Sequence, residues 1–446
     1  MTHVPHNFND FIKEKITAIP KGPRPMQLYL KNCIKCGTCA EVCPVYAGQD
    51  NRDFNPARRA DIVRKLYHRY CTVPGKIISL FRPKLELDEK DAEKWKKLFY
   101  ECTACRRCAI YCPMGIDSSS ITYAVRTMLD EIGHTPERLQ KVIEVSKKFG
   151  NTDGATSEAF HDVIAFLEEE MAEEHDGEKI KIPLDVVGAK YFYLPPSGDV
   201  LVNPESTMGI AKVFHVLGLG DQWTMSSKYF DGANYGLFTG GLSDMQEINK
   251  SCVEEAKRLG CEILFMGECG HAYRVMKMIM EKNKWWGDLP FKIINCMQFT
   301  SDAIRKGLLQ FDKRNNTQPI TFHDPCNFAR SCGIFEEPRE IIKAACMDFR
   351  EMTPNRYQNF CCGGGGGLSA MDAIQDFRMT ISGKKKLDQI HETGAELIAT
   401  ACSNCKRQLS QLMEYHKLHY PILGVHDVVS RALLINGKPA NVDDTL

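Results

Sequence analysis

The spacing of apolar residues predicts helices in the first part of the chain. Apolar side chains recur every three to four positions in four stretches: NPARRADIVRKLYHRY, DEKDAEKWKKLFYE, SITYAVRTMLDEIG and SEAFHDVIAFLEEEMAEEH. Asn55 before Pro56 predicts a capped helix start with proline at the first helical position. The stretch YFYLPPSGD interrupts this pattern, so its two prolines and glycine indicate a domain boundary near residue 195.

After this boundary, short apolar segments alternate with helical ones, and the alternation occurs twice. AELIATACSNCKRQLSQLM matches the earlier CEILFMGECGHAYRVMKMI, and GGGGGLSAMD matches LFTGGLSDMQ. YPILGVHDVVSRALL likewise matches FKIINCMQFTSDAIRKG. Strands that alternate with helices at this spacing predict βα units with short parallel sheets. The predicted fold class is therefore α+β or α/β, with a helical first part followed by a βα repeat.

Composition and charge narrow the class of protein. The 446 residues suggest about three domains, at ~150 residues for each domain. A hydrophobic content of 43% is typical of a globular protein, and the 57 basic residues equal the 57 acidic ones, which argues against nucleic acid as a partner. The chain has no apolar run near the ~20 residues of a membrane span and no signal-peptide core. We therefore expect a cytoplasmic protein that meets a membrane only through a partner.

The 20 cysteines indicate metal binding, because disulfide-rich proteins are usually small and secreted. CIKCGTCAEVCP and CTACRRCAIYCP each follow the bacterial ferredoxin pattern C-x2-C-x2-C-x3-C-P. In this pattern the fourth cysteine binds the other cluster. The pattern predicts one cubane [4Fe–4S] cluster on Cys33, Cys36, Cys39 and Cys112 and a second on Cys102, Cys105, Cys108 and Cys43. Zinc bound by four thiolates is the alternative.

A helical insert separates the two motifs. Because of this insert, the segment 33–118 resembles the helical ferredoxin domain of succinate dehydrogenase and heterodisulfide reductase iron–sulfur subunits. An N-terminal segment, 1–32, precedes it and a helical connection, 119–195, follows. Residues 57–84 of this insert contain a single acid, Asp61, against eight basic residues: Arg58, Arg59, Arg64, Lys65, Arg69, Lys76, Arg82 and Lys84. They form either a solvated face or a docking face for a partner subunit or anionic lipid headgroups.

The second copy of the repeat, 311–446, carries cysteines in the order C…CCG…C-x2-C. This order resembles the cysteine-rich CCG domain of heterodisulfide-reductase-like proteins. The resemblance implies that five thiols bind one [4Fe–4S] cluster, which is noncubane in some members: Cys326, Cys361, Cys362, Cys402 and Cys405. Gly363, Gly364 and Gly365 are expected to bind the cofactor, because glycines allow close backbone approach and offer N–H groups.

The first copy, 196–310, lacks this pattern. Phe238 and Thr239 stand where the adjacent cysteines stand, and VNPES stands where DPC stands. A gapless alignment places Glu268 and His271 at the two positions of C-x2-C, with Cys269 one residue out of frame. We therefore expect three clusters in total. Cys269 and His271 either face a substrate or are remnants of packing.

Two residues near Cys326 have open roles. Cys332 is close enough in sequence to lie near the cluster or to face a substrate, and His323 either caps the turn or forms a hydrogen bond there. The remaining cysteines are interpreted as core thiols: Cys71, Cys252, Cys261, Cys296 and Cys346.

Taken as a whole, the chain resembles the heterodisulfide-reductase-like (HdrD-like) cytoplasmic iron–sulfur subunits of membrane redox complexes in sulfate reducers, of the DsrK, TmcB and HmcF type. The resemblance implies that electrons from a quinone- or cytochrome-linked membrane partner reach the CCG site through the two cubanes. The resemblance implies that a disulfide or trisulfide substrate is reduced or oxidised at this site. One candidate substrate is a small DsrC-like sulfur-carrier protein. The implied catalytic residues are Cys361, Cys362, Cys269, His271 and Cys332.

The alternative is a pure electron-transfer subunit of a dehydrogenase complex, with no substrate site of its own. A zinc-bearing scaffold is the third interpretation.

Overall fold

The computed structural model describes residues 7–49, 51–81 and 83–441, which form two compact units. The ferredoxin unit comprises the described residues up to Gln140, together with Gly236–Leu242 and Gly363–Lys385. The repeat unit comprises Lys141–Tyr235, Ser243–Cys362 and the described residues from Lys386 onward. Arg82 of the basic insert and both chain ends, 1–6 and 442–446, lie outside the described residues.

The ferredoxin unit is helical. Its longer helices confirm the predicted periodicity, and α5 begins as expected, because the Asn55 side chain accepts a hydrogen bond from Ala57 N–H at 2.9 Å and Pro56 follows the cap. The helices are α1 (Phe8–Ala18), α2 (Arg24–Lys31), α3 (Thr38–Glu41), α4 (Pro44–Ala47), α5 (Pro56–Cys71), α6 (Val73–Leu80), α7 (Glu89–Tyr100), α8 (Arg107–Ile110), α9 (Ser118–Glu131) and α10 (Glu137–Phe149).

The repeat unit contains two four-stranded parallel sheets, which confirms the predicted fold class. The first has the order β2-β1-β3-β4, with strands β1 (Tyr191–Leu194), β2 (Trp223–Thr224), β3 (Ile263–Met266) and β4 (Lys292–Asn295). The second has the order β6-β5-β7-β8, with strands β5 (Ile320–His323), β6 (Phe349–Arg350), β7 (Leu397–Thr400) and β8 (Ile422–Leu423). Strand β1 precedes the boundary expected at residue 195.

Helices follow most strands. The remaining helices are α11 (Ser157–Glu174), α12 (Gly198–Leu201), α13 (Glu205–Val216), α14 (Gly236–Thr239), α15 (Leu242–Leu259), α16 (Gly270–Tyr273), α17 (Cys296–Arg305), α18 (Glu337–Ala345), α19 (Gln375–Phe377), α20 (Lys384–His391), α21 (Ser403–Tyr415) and α22 (Val425–Ala432). Of these, α11 precedes β1, and α14 and α19 belong to the ferredoxin unit. Helices α13 and α22, one from each repeat, pack closely at Gly209, where a Cβ would lie 2.1 Å from the carbonyl oxygen of His426.

The strand register corrects one detail of the predicted repeat. Tyr191 pairs with Ile263 in the first sheet, as Ile320 pairs with Leu397 in the second. Counting forward from these pairs, 195–197 (PPS) correspond to 324–326 (DPC). The match of VNPES with DPC is therefore wrong, because those residues lie at the start of α13, beyond the turn that follows β1. Ser197 is the counterpart of Cys326.

Candidate iron–sulfur sites

The two ferredoxin loops share a backbone conformation. Lys35 and Ala104, each the residue before the second cysteine of its motif, have φ of 57° and 47°. Gly37 and Arg106, each the residue after that cysteine, have φ of 90° and 64°. Left-handed backbone is uncommon outside glycine, so its recurrence at matching positions shows that both loops wrap in the same way.

Cys43 from the first motif lies with thiols of the second motif. Burial raises the pKa of the Cys43 thiol to about 11, against the attraction of the Arg59 guanidinium, and the thiols of Cys105 and Cys102 raise it further. Burial also raises the pKa of Cys108, and the largest contribution from a neighbouring thiol comes from Cys43. The four sulfur atoms predicted for the second cluster are thus electrostatic neighbours.

Cys112 lies, in turn, with thiols of the first motif. Burial raises the pKa of the Cys39 thiol, and the thiols of Cys33 and Cys112 contribute to the rise. Cys36 of this motif is exposed, and a hydrogen bond from the Thr38 hydroxyl lowers the pKa of its thiol. Cys36 of the first motif therefore faces solvent and Cys33 and Cys39 are half-buried, whereas Cys43, Cys102 and Cys105 are buried.

The Arg126 side chain forms hydrogen bonds with backbone carbonyl groups in and around the second ferredoxin motif. Its buried guanidinium donates to Cys102 O at 2.8 Å and to Gly366 O at 2.8 Å. It also donates to the carbonyl oxygens of Phe99, Tyr100 and Phe238. A Cβ at Gly366 would lie 2.6 Å from Cys102 O. The glycine run thus allows close backbone approach. In the ferredoxin unit, the group that approaches Gly366 is the peptide backbone of the second motif.

In the repeat unit, thiols from two distant segments meet. The Sγ atoms of Cys362 and Cys405 lie 3.5 Å apart, and both are buried. Cys361 contacts Cys362, and Cys402 contacts Cys405, through side-chain hydrogen bonds that lower the pKa values of Cys362 and Cys402. These four thiols form one continuous group, and they are four of the five that the CCG resemblance implies.

The strand order explains this convergence. Strands β5 and β7 are parallel neighbours that end at His323 and Thr400, so the residues that follow them leave the sheet at the same edge. Cys326 and Cys402 occupy these two turns. Cys326 directly precedes a π-helical turn, Asn327–Cys332, a backbone form that is often found at functional sites.

A buried ionic network holds the turn after β5. Arg339 donates two hydrogen bonds to the Asp324 carboxylate, at 2.7 and 2.8 Å, and Arg356 N–H donates to the same carboxylate. Asn359, two residues before Cys361, donates its amide to Asp324 O. The network therefore connects the segment that carries Cys326 to the segment that carries the adjacent cysteines.

Two further residues lie beside the thiols, and the sequence does not assign them to the site. A ring nitrogen of the buried His323 lies within 4.8 Å of the sulfurs of Cys362 and Cys405. The ammonium group of Lys386 is buried, donates to Asn359 Oδ1 at 2.6 Å, and has its pKa lowered by burial to about 7. The sequence contains a signal for His323, because this residue ends a predicted strand three residues before Cys326. No pattern in the sequence indicates that Lys386 lies near the thiols.

The turn after β3 in the first repeat is one residue longer than the turn after β7. Helix α16 begins four residues after Met266, whereas α21 begins three residues after Thr400. Cys269 and Cys402 each precede their helix with extended backbone, at φ of −138° and −161°. The gapless alignment is therefore wrong beyond the strand: Cys269 has the helix position of Cys402, and Ala272 has that of Cys405.

Glu268 is turned away from this helix start. Its buried carboxylate accepts hydrogen bonds from His426 N–H and the His426 ring, both at 2.7 Å, and from Val425 N–H at 3.1 Å. The carboxylate is thus satisfied within the protein.

A cavity of 410 Å³ opens beside the start of α21. Its wall includes Ser197, Cys269, His271, Asn404 and Arg407. His271 Nδ1 lies 3.2 Å from Cys269 Sγ, and its Nε2 accepts a hydrogen bond from Asn234 N–H. The cavity therefore contains the degenerate site of the first repeat, and burial with the nearby Cys402 raises the pKa of the Cys269 thiol.

The structure also places the other residues that the sequence singles out. Cys332 is half-buried at the end of its π-helical turn, near Tyr273. Phe238 and Thr239 are buried in the ferredoxin unit, which also contains Gly363, Gly364 and Gly365. Burial of Cys252, Cys261, Cys296 and Cys346 confirms that they are core thiols; Cys71 is half-buried and donates to Ile16 O.

The donor atoms that converge at these sites are almost all thiol sulfurs, which is the ligand chemistry of iron–sulfur groups. The chain matches the family described as 4Fe-4S dicluster domain over residues 29–116 and the family described as Cysteine-rich domain over residues 320–410. It is therefore an iron–sulfur protein with a dicluster domain and a cysteine-rich domain in one polypeptide.

Comparison with whole proteins extends this assignment. The chain is 28% identical to the Hdr-like menaquinol oxidoreductase iron-sulfur subunit 2 of Archaeoglobus fulgidus, over 99% of the chain and 86% of the relative. It is 27% identical to a subunit of the dihydromethanophenazine:CoB–CoM heterodisulfide reductase of Methanosarcina barkeri, over 91% of the chain and 94% of the relative. It is 22% identical to the EtfAB:quinone oxidoreductase of Syntrophomonas wolfei, over 85% of the chain and 54% of the relative.

These relatives confirm the predicted resemblance of the chain to HdrD-like iron–sulfur subunits of oxidoreductase complexes. Within the residues that the structure describes, no helix combines the length and the apolar character that a membrane span requires.

Proposed function

We propose that this chain is the iron–sulfur subunit of a membrane-linked redox complex and that it carries electrons to a disulfide or trisulfide substrate at the second repeat. The observation that supports this most is the group of thiols at Cys361, Cys362, Cys402 and Cys405, which adjoins the cavity that holds Cys269 and His271. Both features lie inside the repeat unit.

Three clusters are proposed. The ferredoxin unit would hold two cubanes on the thiol sets that the motifs predict, and the thiol neighbours of Cys39, Cys43 and Cys108 support these sets. The CCG thiols, with Cys326, would hold the third. When bound, these groups supply electrons one at a time, whereas cleavage of a sulfur–sulfur bond consumes two electrons and two protons and yields two thiols.

The cavity has the size of a small-molecule site, since such sites span about 300–1,000 Å³. Its volume of 410 Å³ would accommodate a small disulfide or the cysteine-bearing end of a carrier protein. Arg407 offers a cation and Asn404 an amide for substrate recognition. Asn404 lies between Cys402 and Cys405 in sequence, so a molecule in the cavity would be next to the ligand loop.

His271 is suited to supply a proton there. Its ring contacts two thiols, because Nδ1 lies 3.2 Å from Cys269 Sγ and a side-chain hydrogen bond with His271 lowers the pKa of Cys402. Asn404 Nδ2 also lies 3.3 Å from Nδ1. That Nδ1 faces Cys269 Sγ at the cavity wall. His271 and Cys269 can thus deliver protons to the thiolates that reduction would produce.

The electron donor is proposed to be a quinol- or cytochrome-linked membrane subunit. Supporting this, one relative is described as an iron–sulfur subunit of a menaquinol oxidoreductase, and another as part of a heterodisulfide reductase. A small sulfur-carrier protein with redox cysteines is the proposed substrate, and the same site would run in reverse in a complex that oxidises dithiols.

The test is electron paramagnetic resonance of the anaerobically purified chain during stepwise oxidation, with and without a dithiol or carrier protein. We expect a signal that shifts with the thiol and disappears in Cys361→Ser, whereas the core variant Cys346→Ser retains it. His271→Gln should keep the signal and its iron but move the pH profile of disulfide reduction.

A spectrum that contains only reduced cubane signals, indifferent to every thiol, would favour the alternative of an electron-transfer subunit without a substrate site. The similarity to an EtfAB:quinone oxidoreductase is the observation that keeps this alternative in view.

A further inference from the structure

Helix α6 and the residue after it expose a continuous set of large apolar side chains, which we call the apolar ridge: Val73, Ile77, Ile78, Leu80 and Phe81. Val73 is 73% exposed, Leu80 79% and Phe81 85%. Single exposed apolar residues are ordinary on a protein surface, but a contiguous group indicates a binding surface. None of the residues of α6 is buried.

The fold holds this ridge outward. The Thr72 hydroxyl caps α6 by accepting from Gly75 N–H at 3.1 Å. Gly75 rests directly on the end of α5, because a Cβ there would lie 1.7 Å from His68 O. After the helix, Arg69 Nη2 donates to Pro83 O at 2.7 Å. The exposure of the ridge is therefore fixed by contacts at both ends of the helix.

The charged residues of the segment 71–85, which contains the ridge, are all basic, whereas the exposed Glu86 follows this segment and Asp61 lines the cavity that Ile78 also lines. Lys76 and Lys84 are exposed, and no acidic residue occurs between Cys71 and Leu85. A helix with apolar side chains and adjacent lysines lies in the interface of a bilayer, with its apolar face ~5–10 Å deep and its cations at the phosphates. A groove on a partner protein would also bind the apolar side chains. Only an anionic surface, however, would account for a segment that has basic residues and no acidic ones.

The ridge also adjoins the exposed ferredoxin motif. A cavity of 500 Å³ is lined by Cys33 of that motif and by Ile78 of the ridge, with Leu30 and Leu85 between polar residues. A surface that binds the membrane here would bring the first ferredoxin motif close to the bilayer.

We infer that the apolar ridge and its lysines form a docking surface for the anionic headgroup region of a lipid bilayer. This surface lies within the ferredoxin unit and goes beyond the proposed redox function. Binding to lipid does not depend on any disulfide chemistry, so the two proposals fail or succeed separately.

The test is flotation of the full-length, cluster-loaded chain with vesicles of equal parts phosphatidylcholine and phosphatidylglycerol, compared with phosphatidylcholine alone. The double variant Leu80→Ser, Phe81→Ser should bind the anionic vesicles at least about tenfold more weakly, because two large apolar side chains are lost. The matched control Phe166→Ser, Leu308→Ser removes two large exposed side chains of the same types from the repeat unit and should bind as the unaltered chain does.

The charge contribution has its own pair of variants. Lys76→Gln and Lys84→Gln should each weaken binding about fivefold, at low salt more than at high salt. Lys250→Gln and Lys282→Gln, which are exposed in the repeat unit, should have no effect. Iron content and far-ultraviolet circular dichroism, equal for all variants, separate a binding effect from misfolding.

Two results would overturn the inference: a cluster-loaded chain that does not float with anionic vesicles, or ridge variants that float as well as the unaltered chain. If the ridge variants keep vesicle binding but lose a co-purifying membrane protein, the ridge is a protein interface and the bilayer assignment is wrong.

Discussion

Glu268 places its carboxylate against the ring of His426, with Oε1 and Nδ1 2.7 Å apart and both side chains buried. The gapless alignment puts this glutamate at a ligand-cysteine position, yet its oxygens are satisfied by His426 and by the first N–H groups of α22. The alignment fails at this point, because Cys269 has the helix position of Cys402, so Glu268 is a structural partner of His426 and not the counterpart of a metal ligand.

The stability of this pair predicts a pH dependence. Burial favours the neutral acid, but the hydrogen bonds and charge of His426 and the Lys406 charge hold the pKa of Glu268 below its usual value. A carboxyl whose pKa is depressed on folding adds stability above the ordinary pKa of ~4.3, and this stability is lost as the pH falls through the lower, folded pKa.

Glu268→Gln should therefore lower the free energy of unfolding at pH 7 by about 1–3 kcal/mol and flatten its fall in acid. Urea unfolding at several pH values measures this, with the exposed Glu262→Gln as control. Iron content should not change; a loss of iron in Glu268→Gln would show that the glutamate supports a cluster.

If each ferredoxin motif supplies its fourth cysteine to the other cluster, this predicts which cysteine variants lose the same cubane signal. Cys43→Ser should remove the same cubane signal as Cys102→Ser, because Cys43 interacts with Cys105 and Cys102. Cys39→Ser should remove the signal that Cys33→Ser removes, because Cys33 and Cys112 are the leading thiol neighbours of Cys39. Electron paramagnetic resonance of the dithionite-reduced variants checks this, with Cys252→Ser as control. If Cys43→Ser and Cys39→Ser abolish the same signal, each motif binds its own cluster.

Gly366 should not tolerate a side chain. It has φ of +66°, and a Cβ would lie 2.6 Å from Cys102 O, so Gly366→Ala adds a steric clash to left-handed strain. We expect a loss of about 2–5 kcal/mol in the free energy of unfolding.

Gly307→Ala is the matched control, since Gly307 has φ of +68° with nothing within 4 Å, and it should cost only about 1–2 kcal/mol. Chemical unfolding, together with the strength of the second cubane signal, separates the two variants. Equal losses would mean that the contact with the second motif is unimportant.

Arg126 should be needed for the ferredoxin unit to fold. Arg126→Met leaves five buried carbonyl groups without this donor and should cost about 3–5 kcal/mol: those of Phe99, Tyr100, Cys102, Phe238 and Gly366. The exposed Arg138→Met is the control, and thermal unfolding with iron analysis is the measurement. Similar melting temperatures for the two variants would contradict this role.

Local patterns in the sequence were sufficient for much of this protein. Ligand spacing within one turn of chain predicts the ferredoxin motifs, because successive thiols must reach one cluster from a single loop. The periodicity of apolar residues predicts α5 and α7, and the alternation of strand-like and helical segments predicts βα units, since each pattern lies within a short stretch of chain.

Only the tertiary structure shows which distant segments of the chain correspond to each other and which are in contact. Only the strand register shows that Ser197 corresponds to Cys326, and only the longer turn after β3 moves Cys269 into the helix position of Cys402. His323 and Arg126 act across 39 and 24 residues of chain, on Cys362 and on Cys102. Such contacts depend on strand order and packing, which the residues around each position do not encode.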